Sequence, residues 1–216
     1  MSAKIQTINV LFNIFPVNGH EELLNDVYKR LHAFIENLME IKFSYKKDEY
    51  LWCIAGGFAA FIQGRTTKYG DIDVYIISNR YTPMMYALKI ELGEHKFDIF
   101  ILSVGQKLTT PLEKYCAILG AFDLDVCRVG LVDGGLRILN VALGDSFADK
   151  NDDLEEDRIM KYSQRINKNF RQSRFDWEIL NVEKIREKNI LMYYCKTINT
   201  IFQEICQVIS HKFKNE

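Results

Sequence analysis

Residues 53–74 read CIAGGFAAFIQGRTTKYGDIDV, and this stretch joins a pair of glycines to a pair of carboxylates. The glycines are Gly56 and Gly57, and the carboxylates belong to Asp71 and Asp73. Carboxylate oxygens are the ligands that Mg²⁺ prefers. A glycine turn that leads into a helix can bind phosphate through its backbone amides. We expect the rest of the chain to bring these two features together.

The pattern around the two pairs predicts a strand, a short helix, a loop and a second strand. Residues 51–55 are mostly apolar and predict a buried strand. Residues 58–63 predict a short helix that Gly64 ends. Residues 71–77 alternate between apolar and polar side chains, so their acids should lie on one face of a strand.

A third acid completes a candidate metal site. Asp71 and Asp73 should lie on the same side of their strand, roughly 6–7 Å apart. Asp98 lies in the apolar run KFDIFIL, and residues 96–102 predict a further strand. Three carboxylates from two strands can hold two divalent ions about 3.5–4 Å apart, as phosphoryl-transfer sites do.

The glycine pair supplies the phosphate-binding half of this hypothesis. Because Gly56 and Gly57 have no Cβ, a phosphate can approach their backbone amides closely. The predicted helix that follows would add its positive end. In the loop, Arg65 and Lys68 are further candidates for phosphate contact.

Composition favours one folded domain, with a helical appendage as an alternative. The chain has 216 residues, of which 48% are hydrophobic and 26% charged, and its net charge is -1. No overall basic field would therefore attract nucleic acid, and a local patch would be needed. Five cysteines without a CxxC pair indicate reduced thiols in the core of an intracellular protein. The sequence shows no secretory signal or membrane-spanning segment, so we expect a cytoplasmic protein without membrane partners.

The remaining apolar patterns predict further helices and strands. They predict a strand or extended arm over 5–15, a helix over 21–41 and a helix over 82–91. They also predict a helix that begins with a capping box at Thr110, and a hairpin formed by 121–131 and 136–141.

The C-terminal part predicts helices, the first of them basic. Arg158, Lys161, Arg165 and Lys168 are spaced for one helical face, and basic residues continue to position 174. A solvated surface is one interpretation of this face. The other is a wall that binds triphosphate or a nucleic-acid backbone through charge. A long apolar stripe at helical spacing follows over 190–209.

The order of these motifs resembles the nucleotidyltransferase superfamily typified by DNA polymerase β. That family has a hydrophobic residue, Gly, then Gly or Ser, about nine to thirteen residues, and a strand that reads DhDh or DhEh. Here thirteen residues, 58–70, separate Gly57 from the run DIDV that begins at Asp71. The family's third carboxylate lies between hydrophobic residues on a later strand, and Asp98 matches it. The resemblance covers roughly residues 50–102.

The resemblance implies roles for these residues. Asp71, Asp73 and Asp98 would ligate Mg²⁺ (or Mn²⁺), and Asp98 would also help to activate the acceptor hydroxyl. Gly56 and Gly57 would contact the triphosphate.

Two points stay open in this comparison. Asp123 and Asp125 form a second alternating acid pair, which could supply the third carboxylate in place of Asp98. A looser likeness of KFDIFIL, FDLDVCRVGL and RIMKYSQR to uncharacterised superfamily members from large viruses and fungi, and to fused proteins, names no substrate.

We therefore expect an α/β fold, with a small mixed β-sheet nucleotidyltransferase core over 1–145 and a helical C-terminal region over 146–216. The expected activity is transfer of NMP from an NTP donor to a hydroxyl of an RNA, a protein or a small molecule, with release of pyrophosphate. One alternative is an inactive, nucleotide-binding member with a regulatory or host-interaction role. The other is a nucleic-acid-binding module that uses the basic residues of 158–174.

Overall fold

A computed structural model of the chain describes residues 7–78, 86–103, 108–122, 124–143, 156–170 and 177–183. Within these ranges, eight strands form one mixed sheet and four α-helices accompany it. The strands are β1 (Thr7–Pro16), β2 (Tyr50–Ala55), β3 (Ile72–Ser78), β4 (Tyr86–Leu92), β5 (His95–Ser103), β6 (Val129–Val132), β7 (Arg137–Leu143) and β8 (Glu178–Glu183). The helices are α1 (Glu21–Phe43), α2 (Gly57–Ile62), α3 (Pro111–Gly120) and α4 (Glu156–Ser163).

The strand order across the sheet is β4-β5-β3-β2-β6-β7-β1-β8. Among the eight strands that the structure describes, only β3 and β5 pair in parallel, and every other neighbouring pair is antiparallel. This architecture confirms the expected mixture of helices with a mixed sheet. The strand β8 lies in the region predicted to be helical and pairs with β1, so the described part of that region contains a strand as well as the short helix α4.

Each face of the sheet carries its own apolar core. The helices α1 and α2 pack on one face, where the buried side chains of α1 recur at three- and four-residue steps. The helix α3 packs on the other face, mainly over β1, β2, β6, β7 and β8. The strands β3 and β5 contribute to the α1 core through Ile72, Val74, Phe97 and Ile99. Their alternate side chains therefore point to the opposite face, where Tyr75 and Leu102 pack against the core that α3 covers.

The predicted start of α3 is confirmed in detail. The Thr110 hydroxyl accepts a hydrogen bond from the Glu113 amide at 3.2 Å, and the Glu113 carboxylate accepts one from the Thr110 amide at 2.8 Å. These reciprocal bonds form the expected capping box. Hydrogen bonds from the backbone amide of Thr110 lower the pKa of Glu113, and bonds from the side chain of Thr110 and from Thr109 act in the same direction.

The predicted helix over 82–91 is wrong for the part that the structure describes. Residues 86–92 form the strand β4, which pairs antiparallel with β5. Leu88, Ile90 and Leu92 are buried there, and the residues between them are exposed. This period of two suits a strand with one buried face, and pairing with β5 satisfies the backbone. Residues 82–85 lie outside the described ranges.

The predicted hairpin is correct only in its second half. The strands β6 and β7 pair as expected, with a short 3-10 turn at Asp133–Gly135 between them. The first strand begins at Val129, because residues 125–127 form another 3-10 turn. Arg128 holds this turn by donating hydrogen bonds to the Phe122 carbonyl oxygen and to the Asp125 carboxylate.

The predicted basic helix is also shorter than expected. The helix α4 ends at Ser163, so Arg165 and Lys168 do not continue the helical face of Lys161. The chain turns because the Arg165 amide bonds to the Tyr162 carbonyl oxygen at 2.9 Å. The side chain of Arg158, residues 171–174 and the apolar stripe over 190–209 lie outside what the structure describes.

Three cysteines occupy core positions, as predicted. Cys53, Cys116 and Cys127 are buried and free, and the other two cysteines lie outside the described ranges. Burial raises the pKa of Cys53 and of Cys116 to about 12. Thiols with such pKa values stay protonated near neutral pH, so neither is suited to act as a nucleophile. No helix in the described ranges is long and apolar enough to cross a membrane.

A buried polar chain connects the sheet to the loop after α2. The Arg65 guanidinium donates to the Asn140 side-chain oxygen at 2.7 Å and to the Asp125 carbonyl oxygen at 3.0 Å. The Asn140 amide group in turn donates to the Asn13 side-chain oxygen at 2.8 Å. Burial lowers the pKa of Arg65 to about 10, so this side chain still carries its charge at neutral pH. The loop is therefore fixed to the strands β1 and β7.

We expect Arg65→Met to destabilise the fold by about 2–4 kcal/mol, because it leaves buried oxygens without their donor. The free energy of unfolding in urea would measure the loss. Lys68→Met in the same exposed loop is the matched control and should change that free energy by less than about 0.5 kcal/mol. Equal effects of the two variants would contradict a structural role for Arg65.

Candidate functional site

The pairing of β2 with β3 brings the glycine turn to the first acid pair. Ala55, the last residue of β2, lies opposite Asp73 in this antiparallel register. The next residue, Gly56, has φ +70, a conformation that side chains strongly disfavour. A Cβ on Gly56 would lie 3.0 Å from the Asp73 carboxylate and 3.2 Å from the Phe122 ring. The turn therefore passes close to the Asp73 carboxylate and leaves no room for a side chain between them.

The parallel pairing of β3 with β5 then places two acids side by side. Asp73 and Asp98 are register partners on neighbouring strands. Both are partly buried, and both face away from the α1 core because Ile72 and Phe97 point into it. Asp71 lies one residue before β3 and is exposed. The sheet thus aligns the second and third predicted ligands and leaves the first at its edge.

A lysine on β4 joins this group of acids. Lys89 is the register partner of Asp98 in the antiparallel β4–β5 pair, and its ammonium lies 2.8 Å from the Asp98 carboxylate. The hydrogen bond to Asp98 raises the pKa of Lys89, and the charges of Asp71 and Asp73 act in the same direction. All three predicted ligands therefore lie within electrostatic range of one cation.

The three acids do not form a ready-made metal site. Within the described residues, no three His, Cys, Asp or Glu side chains are grouped as a metal ion would require. Asp73 and Asp98 still provide the hard oxygen donors that Mg²⁺ prefers. Asp71 is exposed and precedes the strand, so its side chain can reorient without disturbing the core. Occupation by a metal would require Asp98 to exchange its bond with Lys89.

Aromatic side chains border the acids on the same face. The Tyr75 ring stacks on the Phe100 ring with centroids 5.0 Å apart, and it meets the Phe122 ring edge-on at 5.7 Å. Tyr75 and Phe100 each follow an acid by two positions on their strands, so they share its face. Phe122 also contacts the glycine turn at Gly56. The acids thus lie beside an apolar wall.

The predicted phosphate-binding residues separate into two groups. Gly56 and Gly57 form the turn beside Asp73, and Lys68 is exposed in the loop between α2 and β3. Arg65 points inward and is only 8% exposed. Because its guanidinium bonds to buried partners, we leave Arg65 out of the candidate phosphate site. The helix α2 has only six residues, so the expected contribution of a helix dipole is small.

The alternative third carboxylate has a different environment. The Asp125 side chain is 90% exposed and pairs with Arg128 in the turn before β6. Asp123 lies outside the described residues. The register partner of Asp73 is Asp98, so the structure favours Asp98 over Asp125 as the acid beside the first pair.

Two residues near this site have no role in the hypothesis drawn from the sequence. Lys89 falls in the predicted helix over 82–91, although the alternation of the run YALKIEL is typical of a strand. The other is Tyr162, whose hydroxyl lies close to the glycine turn. A Cβ on Gly57 would be 3.1 Å from that oxygen. No local pattern predicts this contact, because the two residues are far apart in the chain.

Searches with protein-family models and among curated proteins found no match to this chain. The resemblance to the nucleotidyltransferase superfamily therefore remains a prediction, based on the motif and on the placement of its residues.

We expect Gly56→Ala to destabilise the fold by about 1–3 kcal/mol and to displace the Asp73 carboxylate, because a side chain there is both strained and crowded. The free energy of unfolding and a crystal structure of the variant would check both effects. Gly64→Ala is the matched control, since Gly64 also has a positive φ but a Cβ there meets no atom within 4 Å. An equal loss in the two variants would contradict the contact with Asp73.

Proposed function

We propose that this protein is a metal-dependent nucleotidyltransferase that moves NMP from an NTP to a hydroxyl acceptor and releases pyrophosphate. The observation that carries the proposal is the closeness of Gly56 to the carboxylate of Asp73, which would lie 3.0 Å from a Cβ on Gly56 and which is beside Asp98. The proposed phosphate-binding turn and the hard oxygen ligands are thereby adjacent. Transfer of a nucleotidyl group needs both in one place.

Each residue has a role in this proposal. Asp71, Asp73 and Asp98 would hold Mg²⁺ (or Mn²⁺) through their carboxylate oxygens. The bound metal would lower the pKa of the attacking hydroxyl and offset the charge of the leaving pyrophosphate. Asp98 would also help to activate the acceptor hydroxyl. The amides of Gly56 and Gly57 would hold the donor phosphates, with Lys68 as a further contact from the loop.

A second candidate function is nucleotide binding without catalysis, with a regulatory role. The observation that favours it is the ion pair of Lys89 with Asp98, which places a positive charge among the carboxylates. A permanent ammonium there would offset part of the negative charge that a metal ion would otherwise neutralise. It would also lower the affinity of the site for a metal ion. Because the Lys89 side chain is 80% exposed, such a pair contributes little stability and can open at small cost.

Purified protein incubated with NTPs labelled at the α-phosphate and with Mg²⁺ or Mn²⁺ should transfer label to RNA, protein or itself. We expect Asp71→Asn and Asp73→Asn each to lower the rate by about 100-fold or more, because metal ligation supplies several kcal/mol to such reactions. Asp125→Asn, which alters an exposed acid of the turn before β6, is the matched control and should retain the rate. NTP binding with no transfer to any of these acceptors would favour the second candidate.

Lys89→Met should strengthen Mn²⁺ binding by about tenfold, because it removes a charge that repels a divalent ion a few ångströms away. Calorimetric titration with Mn²⁺ would measure the affinity. Lys47→Met removes an equivalent charge from an exposed position before β2, at the end of that strand far from the acids, where Lys47 pairs with Glu36, and should leave the affinity within about twofold. Unchanged Mn²⁺ affinity in Lys89→Met would contradict competition between the lysine and the metal.

A further inference from the structure

The segment that follows α4 is attached to the loop between α2 and β3. The Thr67 amide donates to the Arg165 carbonyl oxygen, and the Asn167 amide donates to the Arg65 carbonyl oxygen, both at 2.8 Å. The Asn167 side chain adds a bond to the Gly64 carbonyl oxygen at 2.9 Å. A β-bridge between positions 66 and 166 and the Arg65 guanidinium over the Phe170 ring complete the attachment. Residues 162–170, which we name the strap, therefore have a fixed place beside the loop.

The strap brings a hydroxyl to the glycine turn. Tyr162 is partly buried, and its hydroxyl oxygen would be 3.1 Å from a Cβ on Gly57. A tyrosine hydroxyl can donate a hydrogen bond to a phosphate oxygen. The absence of a side chain at Gly57 is what allows this approach. The part of the turn proposed to hold the donor phosphates thus has a polar group from the strap next to it.

The strap also brings a cation to Gly70, the residue before the first acid. The Arg165 guanidinium would be 3.5 Å from a Cβ on Gly70, the residue before Asp71. It is partly buried, and within the described part of the chain it makes no hydrogen bond or ion pair. Arg165 attaches the strap through its backbone atoms. The five N–H donors of its guanidinium take no part in that attachment. A guanidinium in this position can bind an anion with several oxygens.

The Tyr162 hydroxyl and the Arg165 guanidinium lie at the two ends of the segment that runs from the glycine turn through α2 and its following loop to β3. Tyr162 is next to the glycine turn where α2 begins, and Arg165 is next to Gly70, where the loop reaches β3. Lys161 and Lys168, in the same region, are exposed, and neither lies within 4 Å of a Cβ on Gly57 or Gly70. Their positions beside these glycines therefore distinguish Tyr162 and Arg165 from the exposed lysines.

We propose that the Tyr162 hydroxyl and the Arg165 guanidinium form a subsite that binds the polyphosphate chain of a nucleoside triphosphate beside the glycine turn. This inference rests on the proposed function, since it concerns the donor of that reaction. The proposed subsite recognises the charge and the oxygen geometry of the phosphate chain and makes no contact with a base. Inorganic tripolyphosphate, which has the same phosphate chain without a nucleoside, is therefore its simplest probe.

Calorimetric titration of the full chain with tripolyphosphate in the absence of divalent metal tests the subsite. Arg165→Gln should weaken binding at least tenfold, and Tyr162→Phe, which removes only the hydroxyl, should weaken it by about threefold to tenfold. Lys168→Gln makes the same change of charge at an exposed position of the strap and should stay within twofold. The thermal unfolding midpoint of Arg165→Gln should match the wild type, because the strap is attached there through backbone atoms.

Several results would overturn the inference. These are no tripolyphosphate binding by the wild-type chain, unchanged binding by Arg165→Gln, or equal losses in Arg165→Gln and Lys168→Gln, which would indicate diffuse charge attraction. Binding of single-stranded RNA that depends equally on Arg165 and Lys168, with no binding of tripolyphosphate, would indicate that the strap binds nucleic acid instead.

The label-transfer assay separates this inference from the proposed function. Tripolyphosphate binding that requires Arg165, in a chain that transfers no NMP, would support the subsite and contradict the enzyme. Transfer that requires Asp71 but is unimpaired in Arg165→Gln would support the enzyme and overturn the subsite.

Discussion

The register of β2, β3 and β5 is the constraint on which the candidate site depends. It pairs Ala55 with Asp73, and Asp73 with Asp98, so that the end of one strand and the acids of two others meet. A slip of one residue in either pair would turn the acids into the α1 core and the apolar side chains towards solvent. The fully buried Ile72, Val74, Phe97 and Ile99 oppose such a slip through their apolar packing. The stability of the core and the placement of the carboxylates are therefore one property.

The loop between α2 and β3 has a structural and a functional side. Arg65 points inward and connects the loop to buried asparagines of β1 and β7, while the strap attaches from the outside. Held from both sides, the loop delivers Gly70 and Asp71 to the start of β3 in a defined position. An arginine that the motif suggested for phosphate binding thus supports the site from within the fold. Arg165, from the strap, is the arginine that lies beside Gly70, the residue before Asp71.

The charge balance of the site depends on one cation, the ammonium of Lys89, which can be exchanged. Lys89 neutralises part of the negative charge of three carboxylates and does so from an exposed position on the edge strand. The same carboxylates can bind either this ammonium or a divalent ion, because both interactions use the Asp98 oxygens. A divalent ion has twice the charge and is favoured where all three acids converge. Under the proposed function, activity would therefore depend on whether Lys89 or a metal ion holds Asp98.

The sequence by itself determined the local features of this protein. Apolar runs identified β2 and β5, alternation identified β3, helical spacing identified α1, and the capping box identified the start of α3, because each pattern depends on neighbours in the chain. Mistakes came where a local pattern was ambiguous, as in the strand β4, or where the spacing of the basic residues continued past the end of a helix, as after Ser163. Only the tertiary structure decided that Arg65 is buried, that Lys89 pairs with Asp98, and that Tyr162 and Arg165 reach the glycine turn and Gly70. Lys89 and Asp98 are nine residues apart, and their pairing depends on the register of β4 with β5. The other contacts join residues far apart in sequence, and chain packing, which no local pattern encodes, determines which of them form.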